Sequence, residues 1–326
     1  MVKKIAVIGL GSIGLSIGMA LSRLKQDYLT AGLDRDGDLI REVSKLKVFD
    51  SLTNKLPELL KDAEIVILAV PFDEIEITLQ AISPLLNENA LILETSPVKR
   101  TVFEWAEKNL IEANVLLSFT PIISSSHLLN DLGGIQAASA DLFTGGLFLV
   151  CGGANSTSQA MSQASRIASA LGSEIFISDP VEMDGLLAAY ELLPKLTAAA
   201  YFNSVAREGG WHYGQKLTNN AFSEVTRPVD QFNEREYFGA AALANRDNTL
   251  RVLDNLIREL QGIRKNLEDG DSIGLKETLA RAKKEYSEWW FSRTTGKWEV
   301  NPRESVRGED GFLSRGLGMP SLKKKK

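Results

Sequence analysis

One cysteine, Cys151, and two histidines are the only thiol and imidazole groups in 326 residues. A lone thiol excludes an internal disulfide and suits a reducing cytoplasm. So sparse a donor set argues against zinc, and no metal site is expected. The apolar N-terminal stretch is too short and too rich in glycine for a signal peptide or a membrane span, so no membrane partner is expected. Charge lacks a dominant sign. The 37 basic and 42 acidic residues leave a net −5, which implies no broad basic face and no nucleic-acid partner. What remains is the composition of a soluble globular protein, 44% hydrophobic and 24% charged, on a chain long enough for two domains.

The strongest positive signal lies near the N-terminus. Residues 5–14 read Ile-Ala-Val-Ile-Gly-Leu-Gly-Ser-Ile-Gly, a buried strand entering a G-x-G-x-x-G turn. Gly9 allows the tight turn, Gly11 lets the backbone approach a pyrophosphate, and Gly14 lets the following helix pack closely on the sheet. The helix N-terminus, at Ser12 and Ile13, offers unpaired N–H groups and a positive dipole to phosphates. Asp34, twenty residues beyond Gly14, closes a second apolar run, and its carboxylate can accept both ribose hydroxyl protons of an adenosine. Arg35 suits a 2′-phosphate that Asp34 would repel, so NAD is expected, with Arg35 leaving NADP open. Val70 and Pro71 close a further apolar run and would face the adenosine side of the cofactor. The plain alternative is a strand–turn–helix whose glycines only serve packing.

Strand-like runs at 4–8, 29–33, 64–70, 90–94, 115–119, 147–151 and 174–178 alternate with helix-length segments such as 12–25 and 156–171. That alternation predicts an α/β fold with a doubly wound, mostly parallel sheet, whose ligands bind beyond the carboxyl ends of the strands. Past Asp179-Pro180 the pattern turns all-helical. Residues 181–207 read as one long helix apolar on most faces, as in a bundle or a subunit interface. Helices follow at 233–245 and 247–267, then Asp269-Gly270-Asp271 as a stop, then a last helix through Leu275, Leu279, Ala282, Tyr286 and Trp289. The expected organisation is a Rossmann domain at 1–179, a helical domain at 180–293 and a disordered tail at 294–326 that ends in four lysines.

Particular segments narrow this reading. They are residues 91–99, closed by Lys99, Ser118-Phe119-Thr120-Pro121, Ala140-Asp141-Leu142-Phe143, Leu193-Pro194 with Asp184 and Ala188 ahead of it, Val225-Thr226-Arg227 and Asn245-Arg246-Asp247-Asn248. In this order they resemble the prephenate and arogenate dehydrogenase family of tyrosine biosynthesis, over nearly all of residues 4–290. The resemblance implies an NAD-dependent oxidative decarboxylation and a homodimer built by the helical domain. It also implies a histidine that polarises the substrate hydroxyl, and Thr226 and Arg227 as ligands of a substrate carboxylate.

The chain departs from the family pattern at the chemistry. Thr120 stands where the family has the histidine of a His-Pro segment, and Met183 replaces the histidine before the helix aspartate. The histidines flanking Leu-Pro align with Leu192 and Lys195, and the serine of Ser-x-Lys falls on Pro97, with Ser96 adjacent. Thr120, Ser96 and Lys195 are therefore the catalytic candidates, with Glu191 one turn before Lys195 to orient it. His127 lies after the same strand as Thr120, where it could swing toward the nicotinamide but reads first as a cap or a solvent-facing side chain, and His212 sits in a connecting loop. Three functions fit. One is a dehydrogenase of the prephenate type. Another is a dinucleotide-binding homologue without turnover. The third is a dehydrogenase of another carboxylated substrate with Lys195 as relocated base, as in the beta-hydroxyacid dehydrogenases.

Overall fold

The computed structural model describes residues 3–130, 132–232 and 237–298. The first part of the chain runs β1 (Lys3–Ile8), α1 (Ser12–Leu21), β2 (Tyr28–Leu33), α2 (Gly37–Leu46), β3 (Ser51–Thr53), α3 (Leu56–Leu60), β4 (Ile65–Leu68), α4 (Ile75–Ile82), β5 (Leu91–Glu94), α5 (Arg100–Asn109) and β6 (Val115–Ser118). These six strands form one sheet in the order β3-β2-β1-β4-β5-β6, with every pair parallel. The order reverses between β1 and β4, and a crevice opens at such a switch point beyond the strand ends. Helices cover both faces, which is why β1 is apolar at successive positions. Ile5 and Val7 enter one buried cluster, and Ala6 and Ile8 enter the other.

A second sheet follows, made of β7 (Thr120–Ile122), β8 (Leu147–Val150) and, after α6 (Ser158–Ala170), β9 (Glu174–Ile177). β7 runs antiparallel to β8, and β9 parallel to it. Sequence pattern alone assigned the runs at 147–151 and 174–178 to one extended alternation. The short strands β3 and β7 escaped it, because three residues are too few to show a period. The two sheets join where the Ser118 N–H donates to the Cys151 carbonyl at 2.8 Å.

Helix starts are set by local chemistry. Asp36 accepts from the N–H groups of Asp38 and Leu39 ahead of α2, and Thr157 from that of Ala160 in α6. Asp179 accepts from Val181 and Glu182 to start α7 (Pro180–Leu187), with Pro180 at its first position. The helix expected over 181–207 is interrupted. A π turn (Ala188–Leu192) separates α7 from α8 (Leu193–Ala206). Pro194 explains it, since proline has no N–H for the carbonyl of Tyr190 four residues before. Only Ala198 of α8 is fully buried, so the apolar faces expected in a bundle lie largely uncovered in the single chain.

The chain continues through α9 (Trp211–Gly214), α10 (Asn220–Thr226), α11 (Tyr237–Ala244), α12 (Arg246–Glu268) and α13 (Ser272–Thr295). His212 thus lies in a short helix, not in a loop, with its ring against Tyr213. The start of the helix expected at 233–245 and the tail from 299 onward lie outside the described residues. Contacts divide the chain into two units, Met1–Arg258 and Glu259–Lys326. The boundary expected at 179 therefore falls within the first unit. In the second unit Gly270, at φ +63°, turns the chain, Asp271 caps α13, and Tyr286 stacks on Trp290 while Trp289 packs against both at a tilt.

Cys151 is buried beside the sheet junction, and burial pushes its thiol up to about 12. The folded protein should therefore resist an aromatic disulfide reagent at about pH 8, and unfolding in denaturant should release one reactive thiol per chain.

Candidate active site

A cavity of about 840 Å³ opens at the switch point, and its walls come from the residues that follow β1, β2, β4 and β5. The glycine turn forms its floor. Gly9 sits at φ +92°, and a Cβ there would lie 2.4 Å from the Ala69 carbonyl oxygen, so only glycine fits. At Gly14 a Cβ would stand 1.9 Å from the Gly9 carbonyl oxygen, which is why α1 can seat directly on the turn. Gly11 differs. Nothing lies within 4 Å of where its Cβ would be, and that position faces the cavity with Ser12 and Ile13. No side chain caps α1, so its first-turn N–H groups are available to an anion. Open space at Gly11 beside a free helix N-terminus is the shape a pyrophosphate requires, so these residues fit a dinucleotide.

Asp34 is held at the end of β2, where its carboxylate accepts from the Leu10 N–H at 2.8 Å and the Asp36 N–H at 2.9 Å. Arg35 reaches across the cavity mouth to Glu74, with Nη1 2.6 Å from Oε1. Glu74 ends the short turn after Pro71. Burial pushes its carboxyl up, and the facing guanidinium opposes that shift. Asp34, Arg35, Glu74, Val70 and Pro71 all lie on the cavity wall.

Beyond β5 the wall is held by a buried charge that the pattern of candidates missed. The side chains of Lys99 and Glu94 are both fully buried, with Nζ 2.7 Å from Oε1. Lys99 Nζ also donates to Thr120 Oγ1 at 2.5 Å and to the Ser96 carbonyl. The second Glu94 oxygen accepts from the Ser96 N–H at 2.8 Å. The backbone N–H groups of Lys99 and Arg100 donate to Asp184 of α7 at 2.6 and 3.2 Å, and burial pushes the Asp184 carboxyl up despite them. Asn245 in turn donates to the Asp184 carbonyl at 2.7 Å. The signal for the pair was present in the sequence, as an acid closing an apolar strand five residues before a lysine.

The catalytic candidates separate. The Thr120 hydroxyl donates to the Ser96 carbonyl at 3.0 Å and accepts from Lys99, and Thr120 is not among the cavity-lining residues. Ser96 lines the cavity, but its hydroxyl donates to the Val98 carbonyl at 3.0 Å. Lys195 and Glu191 do face the cavity. They form an ion pair across one turn, and Lys195 Nζ stands 5.4 Å from the centre of the Phe238 ring. Thr226 and Arg227 are not on this wall. The Thr226 hydroxyl bonds to the Phe222 carbonyl at 2.8 Å, and Arg227 opens a turn that packs on α8. His127 pairs with Asp141 at 3.4 Å, away from the cavity. Among the described residues no group of His, Cys, Asp and Glu is placed to hold a metal ion.

The family described as prephenate dehydrogenase, nucleotide-binding domain, matches residues 17–177. A prephenate dehydrogenase of Bacillus subtilis is 23% identical over 86% of this chain and 74% of its own. A cyclohexadienyl dehydrogenase of Zymomonas mobilis is 24% identical over 83% of this chain and 91% of its own. In fold, the chain is similar to prephenate dehydrogenase from Aquifex aeolicus, solved with hydroxyphenyl propionate and NAD+. The TM-score is 0.77 at 16% identity, over 88% of this chain and 98% of that one. A Synechocystis arogenate dehydrogenase gives 0.67 at 21% identity, over 88% and 99%.

The Glu94–Lys99 pair has a measurable consequence. Removing one partner, as in Lys99→Met, leaves an uncompensated buried charge and should cost about 3–5 kcal/mol in urea unfolding. The double variant Glu94→Leu/Lys99→Met should recover most of that loss.

Proposed function

The chain belongs to the prephenate and arogenate dehydrogenase family, and from that premise we propose that it is an NAD-dependent dehydrogenase acting on a carboxylated cyclohexadienyl substrate. The observation that carries the proposal is the single cavity wall that holds both a dinucleotide cradle (Gly11, Ser12, Ile13 and Asp34) and a paired proton-transfer group (Lys195 with Glu191). NAD, when bound, supplies the hydride acceptor.

The roles of this chain's residues follow from their contacts. The α1 N-terminus and the open position at Gly11 hold the phosphates, and Asp34, already fixed by two backbone bonds, keeps acceptor capacity for the ribose hydroxyls. Lys195 Nζ takes the hydroxyl proton of the substrate as it releases its own to Glu191 Oε1, so a carbonyl forms as hydride leaves the carbon that bears that hydroxyl. Loss of carbon dioxide then follows from aromatisation of the ring. Thr120 is a positioning residue, whose hydroxyl helps to fix Lys99 and with it the wall at Ser96. Arg227 and Thr226, expected to hold a substrate carboxylate, lie off this wall on the turn against α8 and are given no part in it.

The helices from Pro180 onward form the substrate and dimer-forming part of this proposal. The exposed apolar side chains of Tyr190, Tyr201 and Leu243 support a homodimer, since that much apolar surface is covered in a stable assembly. A cytoplasmic location agrees with the lone buried thiol. No helix among the described residues is long and apolar enough to cross a membrane.

One observation favours a second reading, a homologue that binds the dinucleotide without turnover. The threonine at the family's histidine position has both its donor and an acceptor site engaged within the fold. Incubation with NAD and either prephenate or arogenate should generate reduced cofactor. Lys195→Ala should lower kcat by about 10²–10⁴-fold, and Thr120→Val by far less. Nucleotide binding without reduction on either substrate would favour the second reading, and an unchanged rate in Lys195→Ala would remove Lys195 from the chemistry.

A further inference from the structure

Arg35 poses a problem that Asp34 alone does not solve. A guanidinium one residue after the ribose-binding acid is well placed to form a charge-assisted fork with a 2′-phosphate. In this chain it does not extend into open space. Its Nη1 lies 2.6 Å from Glu74 Oε1, with Arg35 about half exposed and Glu74 largely covered. The two residues come from opposite sides of the crevice, Arg35 from the segment after β2 and Glu74 from the turn after β4. Both line the same cavity as Asp34.

Three charged side chains thus share one end of the site, and their sum is one negative charge. A 2′-phosphate carries two negative charges or nearly so. It would meet this net negative field and would have to break the Arg35–Glu74 pair to gain a cation. A free 2′-hydroxyl meets no such barrier, because Asp34 is oriented by the Leu10 and Asp36 N–H groups whether or not Arg35 moves.

We propose that Glu74 is a selectivity residue of the dinucleotide site, which withdraws Arg35 from the 2′ position and so makes the site accept NAD and reject NADP. The inference rests on the reading of this cavity as a dinucleotide site and adds which side chain sets the choice between the two forms. Glu74 acts at the 2′ position by holding Arg35 and by its own charge, so its removal should change discrimination there and leave the rest of binding intact.

The test is titration calorimetry of the full chain with NAD+ and with NADP+, without substrate. The wild type should bind NAD+ at least about tenfold more tightly than NADP+. Glu74→Gln should tighten NADP+ by about tenfold and shift NAD+ by less than about twofold, with the melting temperature held to within a few degrees. Adding Arg35→Ala to Glu74→Gln should abolish the gain. The proposal is overturned if Glu74→Gln leaves the NADP+/NAD+ ratio unchanged, or if the gain survives the addition of Arg35→Ala. Wild-type binding of NAD+ reports separately on the site itself. If neither nucleotide binds, the dinucleotide reading fails, and the inference with it.

Discussion

One buried ammonium ion, that of Lys99, holds the architecture of the site together. A charge taken wholly out of water is costly unless it is paired and its remaining protons find acceptors. Lys99 meets that demand with Glu94 at the end of β5, the Ser96 carbonyl on the loop behind it and the Thr120 hydroxyl at the start of β7. Its backbone N–H meets Asp184 on α7. Three segments far apart in the chain, at 94–99, Thr120 and Asp184, are thereby referred to one point. The parallel sheet, the second sheet and the first helix of the all-helical region keep their relative placement because moving any of them would strand a charge. The Thr95–Pro97 loop, which walls the cavity, is held at Ser96 by these bonds.

That constraint also explains why the Thr120 hydroxyl is poorly suited to chemistry. It has one proton, and that proton is given to the Ser96 carbonyl. One of its lone pairs receives Lys99. The group stabilises the wall and does not reach the ligand space. The proposed proton-transfer pair lies elsewhere, on the helix that Pro194 disrupts. The π turn rotates the chain between α7 and α8, and the pair formed by Glu191 and Lys195 on either side of Pro194 opens onto the cavity. π turns recur at functional sites because they break the regular progression of side chains around a helix.

What was legible in the sequence was what is local. The glycine turn and Asp34 are specified within a single strand–turn–helix–strand unit, and each glycine requirement can be stated from its own surroundings, as the 2.4 Å approach at Gly9 illustrates. The alternation of apolar runs gave the parallel sheet, and the i,i+4 spacing of Glu191 and Lys195 gave their ion pair. What escaped was what depends on convergence. Glu94 and Lys99 are five residues apart, but their burial is decided by Thr120 and Asp184, from β7 and α7. β7 itself carries Pro121, a residue that argues against strand in any local reading and is tolerated here in a short strand paired on one side only. Arg35 and Glu74 are separated by a whole α/β unit, and nothing near either residue names the other. The placement of Thr226 and Arg227 off the cavity wall likewise depends on how α10 packs against α8.

The two open cations of the cavity, Arg35 and Lys195, share a design that Lys99 carries to its buried extreme. Each is already matched by a carboxylate of this chain, Glu74 in one case and Glu191 in the other. A cation left bare in a crevice attracts any anion, with little regard to shape. A cation held by its own carboxylate yields only to a ligand group that offers better geometry than the partner it replaces, or that exchanges a proton with the pair. Discrimination then comes from a competition inside the protein, not from the strength of the field. The wall between the two pairs is largely apolar, with Ile13, Val70 and Phe72 among its residues, so flat ring systems are favoured there and charge is confined to the ends. As proposed, such a site turns away surplus negative charge at the Arg35 end and takes a transferable proton at the Lys195 end, and it needs no net positive charge to do either.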